Sequence, residues 1–491
     1  MSLDHNHQLL DPTQWKGKLF NGQWVAAQGG SLPVREPATG ETLTEVGQAN
    51  AADVEAAIKT AVVAQKAWAL ADPRARAAIF RRAANLLQTH FDELARWVVR
   101  ETGGIVPKGE LEIREAIELF SVAAAMQQES QGVVLPSPAG RLSYAKRVPH
   151  GVVGVISPFN VPLVLSMRAV APALAAGNAV VLKPDPQTPV SGGLMIAAVM
   201  QQAGLPEGVL HVVPGGAEAG TALCEASQVK MIAFTGSTAV GRMIAETAGK
   251  QLKKVALELG GKSPLLILDD ADLDIAASNA AWGAFLHQGQ ICMASGRILV
   301  QESIAEEFTR RLAAKAAHLP VGNPMTEQVA LGPLISERQR DRVHAIIQDS
   351  IQAGAKLEAG GTYDRLFYKP TVLSNVKPGM RVYHEEVFGP CASIITFKTD
   401  EEAIAIANDT EYGLSAGIVT ADVGRAMRIG ERIDSGMLHI NDQTVNDEVC
   451  NPFGGRGCSG NGGNIGGQTN WENFSQLRWV TIQSAAHPYP Y

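Results

Sequence analysis

Gly151-Val152-Val153-Gly154-Val155-Ile156, followed at once by Ser157-Pro158-Phe159-Asn160-Val161-Pro162, sets the reading of the chain around it. The first six residues form an uncharged, valine-rich run of strand length. The next six form a rigid proline-flanked turn that carries an uncharged amide donor, Asn160, at the strand's end. The uncharged stretch continues to residue 167 and stops at Arg168. Because Pro158, Asn160 and Pro162 interrupt it, it reads as buried strand, turn and helix start rather than a membrane span.

Downstream, short β-rich runs alternate with helical ones. Strands are expected at 151–156, 179–182, 209–213, 231–234 and 254–257, with helices between them. Such alternation predicts a parallel sheet with right-handed crossovers and helices on its faces. Ligands of such sheets bind outside the strands' carboxyl ends. Asn160, Lys183, the Thr235-Gly236-Ser237 turn and Glu258 all fall there. A second alternating region begins at 264–268, continues with a helix from about Asp272, passes through Cys292 and ends near Asn441. It predicts another α/β domain facing the first.

Upstream, Asn50-Ala51-Ala52-Asp53 caps a helical pattern that runs to Trp68, and further helices follow to about Gln128. Arg74, Arg76, Arg81 and Arg82 are expected on a solvated helix face, paired with nearby carboxylates. Two β-rich segments, 142–148 and 476–482, stand apart from both alternating regions.

The 491 residues are enough for two or more domains, and 46% hydrophobic with 19% charged residues is an ordinary globular balance. A formal net charge of −7 leaves no basic footprint, which argues against nucleic acid or an anionic membrane as partner. Five cysteines without a CxxC pair argue against a disulfide framework or a bound metal, and fit a reducing cytoplasm. Residues 1–7 have neither a basic n-region nor an apolar h-region, so no signal peptide is expected.

Chemistry concentrates in two stretches. Gln288-Gly289-Gln290-Ile291-Cys292-Met293-Ala294-Ser295-Gly296-Arg297 sets a cysteine in a glycine-bearing loop ahead of a β-rich run. An inert core thiol is the plain alternative for any single cysteine. Leu257-Glu258-Leu259-Gly260-Gly261-Lys262-Ser263-Pro264 sets a carboxylate at the end of an apolar strand, ahead of a glycine pair that lets the backbone turn sharply. With Asn160, these stretches supply a nucleophile, a base and an oxyanion donor.

From about Gly22 to its end, the sequence resembles the NAD(P)-dependent aldehyde dehydrogenase superfamily, with several motifs in the family's order. The resemblance implies two α/β domains with parallel sheets and a small β segment for oligomerisation. It implies a Rossmann-like cofactor domain over 1–126 and 149–259, a catalytic domain over 260–460, and an oligomerisation segment over 127–148 and 461–491 that joins a homodimer or homotetramer. It casts Cys292 as nucleophile, Glu258 as base, and Asn160 with the Cys292 N–H as oxyanion donors.

For the cofactor, the resemblance points to Ser157, Phe159, Lys183, Asp185, Pro186, Gly236, Ser237, Gly241, Leu259, Glu386 and Phe388. Ser237 would meet the pyrophosphate, Lys183 the adenosine ribose, Glu386 the nicotinamide ribose and Phe388 its ring. Pro186 stands where many NAD-preferring members carry a glutamate that repels a 2′-phosphate, so NAD is expected with NADP possible.

Val161, Ile291, Met293 and Asn441 are expected at the substrate. Val161 replaces a frequent bulky aromatic and opens room for a flat ring. The stretches 183–193, 289–300 and 453–467 look most like the bacterial benzaldehyde dehydrogenase branch, near vanillin dehydrogenases. A broad aliphatic or semialdehyde enzyme is the alternative. A CoA-acylating enzyme would not need Glu258, and a silent relative would be expected to lack one of Cys292, Asn160 and Glu258.

Overall fold

The computed structural model describes residues 8–491, so the segment read above for the lack of a leader lies outside them. Five parallel strands form the centre of the first sheet: β1 (Val152–Ile156), β2 (Ala179–Lys183), β3 (Leu210–Val212), β4 (Val229–Thr235) and β5 (Lys254–Glu258). Their order is β5-β4-β1-β2-β3, and an antiparallel pair, Lys18–Asn21 and Trp24–Ala26, extends the β3 edge. Every residue of β1 and β2 is buried, as expected of strands covered by helices on both faces. Ile156 lies opposite Lys183 and Phe234, and Thr235 opposite Glu258, so the carboxyl ends of four strands come level. Helix α1 (Pro162–Ala175) leaves the turn after β1 with Pro162 in its first turn, where a missing N–H costs nothing, and buries every residue but Leu165.

Asn50 and Asp53 form the expected reciprocal cap, each side chain taking the other's N–H at 3.1 Å, on a helix spanning Ala51–Leu70. The arginine face is corrected. Arg74, Arg81 and Arg82 are exposed as expected, but Arg76 is buried with its guanidinium 5.9 Å from the Trp68 ring, and Arg82 Nε donates to a carbonyl, that of Ala203, at 2.7 Å. Long arginine stems cover apolar surface, and the five guanidinium N–H donors can be met by backbone carbonyls.

The second sheet contains β6 (Pro264–Ile267), β7 (Arg297–Gln301), β8 (Cys391–Phe397), β9 (Ser415–Val419) and β10 (Met437–Ile440), all parallel in the order β8-β7-β6-β9-β10. Thr371–Ser374 joins β8 in parallel, and Lys356–Ala359 closes that edge antiparallel. Only Leu259 to Ser263 separate β5 from β6. A strand entered that soon after leaving the first sheet must start beside the first sheet's carboxyl ends and run away from them. Its parallel neighbours do the same.

The two outlying segments meet: Ser475–Gln483 pairs antiparallel with Arg141–Pro149, which also pairs with Gly132–Val134. Leu142, Leu477, Trp479 and Ile482 are exposed on this ribbon. No helix among the described residues is long and apolar enough to cross a membrane.

Candidate active site

A cleft of about 830 Å³ runs along the carboxyl ends of the first sheet and reaches Cys292. Of the sequence-predicted residues, Ser157, Phe159, Asn160, Lys183, Asp185, Pro186, Gly236, Ser237, Glu258, Leu259, Cys292, Glu386 and Phe388 line it. Glu386 and Phe388 come from the segment just ahead of β8, and Cys292 from the loop ahead of β7.

At one end, Ser237 heads helix α2 (Thr238–Lys250) and makes no side-chain cap bond, so the first N–H groups of the helix remain open toward an anion. Lys183 Nζ donates to the carbonyls of Gly215 (3.0 Å) and Pro184 (3.1 Å), and burial holds it below the ordinary lysine range. Val240 and Met243 of α2 expose apolar surface to the same cleft, which Gly220 and Thr221 also line. An anion cradle, a cation and an apolar slot together fit a dinucleotide. Gly241 does not line the cleft. A Cβ there would lie 2.4 Å from the Leu259 side chain, so its part is to let α2 pack against Leu259.

At the other end the glycine pair after Glu258 has a steric purpose beyond turning. A Cβ on Gly260 would sit 2.4 Å from the Glu386 carboxylate, and one on Gly261 2.4 Å from the Cys292 carbonyl. The Gly261 N–H donates to Glu386 Oε1 at 3.2 Å. Phe388, itself in a left-handed conformation at φ 53°, meets Phe159 edge to face at 5.8 Å. Burial raises Glu386 to about 7.

Asn160 is buried, and its amide donates to the Gln290 carbonyl at 2.9 Å, which ties the turn after β1 to the loop of Cys292. Glu258 is buried with neither carboxylate oxygen hydrogen-bonded, and desolvation raises its pKa well above the carboxylate range, against the pull of Arg168. Burial, then the charges of Glu386, Glu258 and Asp447, push the Cys292 thiol up to about 12. A protonated Glu258 removes one of those charges, as expected for a carboxylate that must not oppose thiolate formation.

The Cys292 loop is anchored on both sides. Thr444 Oγ1 donates to the Met293 carbonyl at 2.6 Å. Buried Arg297 donates to the Ile406 and Ala407 carbonyls, each at 2.8 Å. Upstream, His287 (φ 48°) and Gln288 (φ 57°) are left-handed, a conformation costing roughly 1–2 kcal/mol per non-glycine residue.

Beyond Cys292, Ile291, Met293, Leu414 and Phe453 pack as an apolar collar, with Met437 and Val445 against it. Val161 precedes α1 and packs on the first domain's core. Asn441 is a correction. It follows β10, and the second sheet's strands run away from the cleft, so it lies at their far end. There its left-handed backbone (φ 58°) turns the chain and its Oδ1 accepts the Thr420 N–H at 3.0 Å.

Arg168 was read only as the end of an uncharged run. It is a buried cation paired with Asp447 and stacked 4.6 Å from the Phe453 ring. A lone arginine in an otherwise apolar helix was the signal, because such a charge needs a buried partner. Leu414 and Met437 carried none, since only the direction of the second sheet places them at the site.

A dinucleotide cleft that ends at a thiol, an unpaired carboxylate and an amide donor defines a dehydrogenase working through cysteine. The model of the aldehyde dehydrogenase family matches residues 24–480. A vanillin dehydrogenase of Amycolatopsis sp. is 53% identical over 484 residues, covering 98% of this chain and 100% of that protein. The NAD(+) benzaldehyde dehydrogenase of Pseudomonas putida is 50% identical over 478 residues, 97% of this chain and 98% of that protein. A betaine aldehyde dehydrogenase from Staphylococcus aureus, solved in complex with NAD+, superposes with TM-score 0.93 at 30% identity, over 97% of this chain and 96% of that one. The chain belongs to the aldehyde dehydrogenase family.

Proposed function

We propose that this enzyme oxidises an aromatic aldehyde, benzaldehyde or a ring-substituted relative, to the carboxylic acid with NAD as oxidant. One observation carries the reading: Cys292 packs against an apolar collar and lines the same cleft as unpaired Glu258 and Asn160. The vanillin and benzaldehyde dehydrogenases at 53% and 50% identity support the substrate class.

The Cys292 thiol gives its proton to solvent, its sulfur bonds to the aldehyde carbon as the C=O π pair moves onto oxygen, and the resulting oxyanion takes hydrogen bonds from the Asn160 amide and the Cys292 N–H until the C–H pair departs as hydride and leaves the thioester. NAD, when bound, accepts the hydride. Lys183 and the open N-terminus of α2 would hold its ribose and pyrophosphate, with Glu386 and Phe388 at the nicotinamide end. Glu258 then takes a proton from water, which attacks the thioester carbon. The C–S bond breaks, the acid leaves, and the proton taken by Glu258 passes to the departing sulfur and restores the thiol.

The partition into a cofactor domain (1–126, 149–259), a catalytic domain (260–460) and an oligomerisation segment (127–148, 461–491) belongs to this proposal. The exposed apolar ribbon around Trp479 would join subunits into a homodimer or homotetramer. Cysteine usage supports a cytoplasmic setting.

The test is a rate panel of aromatic, aliphatic and carboxylate-bearing aldehydes with NAD and with NADP. Benzaldehyde should exceed acetaldehyde in kcat/KM by about ten to a hundredfold, from the apolar area a ring buries in the collar. Val161→Phe should slow the aromatic substrate more. NAD should be preferred with measurable NADP use, and Pro186→Glu should sharpen the preference. If a short aliphatic aldehyde or a semialdehyde outruns every aromatic one, the substrate assignment fails.

A further inference from the structure

His287, Gln288 and Gly289 (φ 48°, 57° and 65°) form three successive left-handed residues just ahead of Cys292, and only the last is glycine. Such a turn persists where its surroundings over-determine it. Gln288 is held on one side, its Nε2 donating to the carbonyls of Pro333 (2.8 Å) and Gly103 (3.1 Å). Gly289 is held on another, since a Cβ there would lie 2.2 Å from the Gly389 carbonyl oxygen.

His287 is the remaining member. It is 1% exposed, and neither ring nitrogen makes a well-formed hydrogen bond. Around the ring lie Gly104, whose Cβ would come within 3.2 Å of Nδ1, the Lys108 ammonium and the Asn160 main chain. Lys108 is paired with Glu112, and Glu112 Oε2 accepts the Leu163 N–H at 2.9 Å in the first turn of α1, directly after Asn160. Burial keeps the imidazole neutral. A buried polar cluster therefore runs behind the reacting groups, from the turn of Asn160 to the loop of Cys292.

We infer that His287 is a positioning residue: its ring, seated between the Asn160 turn and the Lys108–Glu112 pair, holds the left-handed turn so that Cys292 and the Asn160 amide meet the same carbonyl group. The role rests on Cys292 and Asn160 acting as proposed above. It gives a costly backbone conformation a purpose, because a displacement of about 1 Å at a reacting atom can cost a hundredfold in rate.

His287→Gly, His287→Ala and His287→Asn in the full-length enzyme test it, by steady-state kinetics with benzaldehyde and NAD, thermal melting, and the rate at which iodoacetamide alkylates Cys292. Glycine adopts the left-handed backbone freely, so loss in that variant belongs to the missing ring. Asparagine tolerates the same backbone and brings an amide toward the Asn160 turn. We expect kcat to fall about tenfold to a hundredfold in the glycine and alanine variants, with both KM values within about threefold of wild type and slower alkylation. His287→Asn should recover kcat to within about threefold.

Turnover within twofold of wild type in His287→Gly overturns the role. So does a loss in His287→Asn as large as in His287→Ala, which would give the imidazole a task other than positioning. Failure of the underlying reading looks different: wild type alkylated at Cys292 alone would then still oxidise aldehyde.

Discussion

The two sheets offer opposite ends to one cleft. In the first, Asn160, Lys183, Ser237 and Glu258 follow strands β1, β2, β4 and β5, and the carboxyl-end rule places them all. In the second, Cys292 precedes β7, Glu386 and Phe388 precede β8, Leu414 precedes β9 and Met437 opens β10. The difference follows from the short connection between β5 and β6, which leaves no length for a crossover that would restore the first direction. The first half brings Asn160 and Glu258 to the cleft at strand ends, beside an open helix N-terminus. The second reaches it with irregular, anchored segments, and that of Cys292 carries the left-handed residues His287 and Gln288.

This contrast can be broken experimentally. Cys292→Ala should have the largest effect, abolishing aldehyde oxidation while NAD still binds, because Lys183, the open N-terminus of α2, Glu386 and Phe388, proposed to hold the dinucleotide, are all left in place. Isothermal titration beside a steady-state assay checks both halves. Loss of NAD affinity along with turnover would mean that the two ends are not separable.

Glu258→Gln should lower turnover by about a hundred to ten thousandfold, the usual worth of a general base, with an acyl-enzyme visible by mass spectrometry. The sign of the wild-type pH dependence follows from the same carboxylate. Burial raises its pKa, so the ionised base is depleted as pH falls through that raised value, and deacylation should quicken as pH rises through it. A flat profile that still shows a Glu258 requirement would remove the carboxylate as base.

Asn160→Ala should cost about two to three orders of magnitude in kcat, as for other side-chain oxyanion donors. It also removes the bond to the Gln290 carbonyl, so Cys292 alkylation should change as well. A drop below threefold would assign the oxyanion to other donors.

Asn441→Ala should have the smallest effect. With the residue at the far end of β10, kcat/KM should stay within about twofold, while stability falls by about 1 kcal/mol because alanine adopts φ 58° poorly. A large kinetic defect would return Asn441 to the substrate site and undo the contrast between the sheets.

The strand runs, the capping pair Asn50 and Asp53, and the placing of Asn160 and Glu258 at strand ends and of Cys292 in a loop were legible because each depends on neighbours in sequence. Arg76 shows the limit, since its polarity suggested a wet face while Trp68 and the helix packing gave it a buried place. Asn441 failed for a related reason: β-rich runs show where strands lie but carry no sign of which end meets the cleft.

The sequence by itself determined the alternation of two parallel sheets and the residue types needed for thiol chemistry, because strand pattern, turn residues and side-chain reactivity are local properties. Only the tertiary structure decided that the second sheet faces the cleft with its amino ends, that Gly260 and Gly261 make room for Glu386 and the Cys292 carbonyl, and that Leu414, Met437 and Arg168 stand at the site. Those depend on direction and on distances across the chain, and local pattern leaves both open until the elements pack.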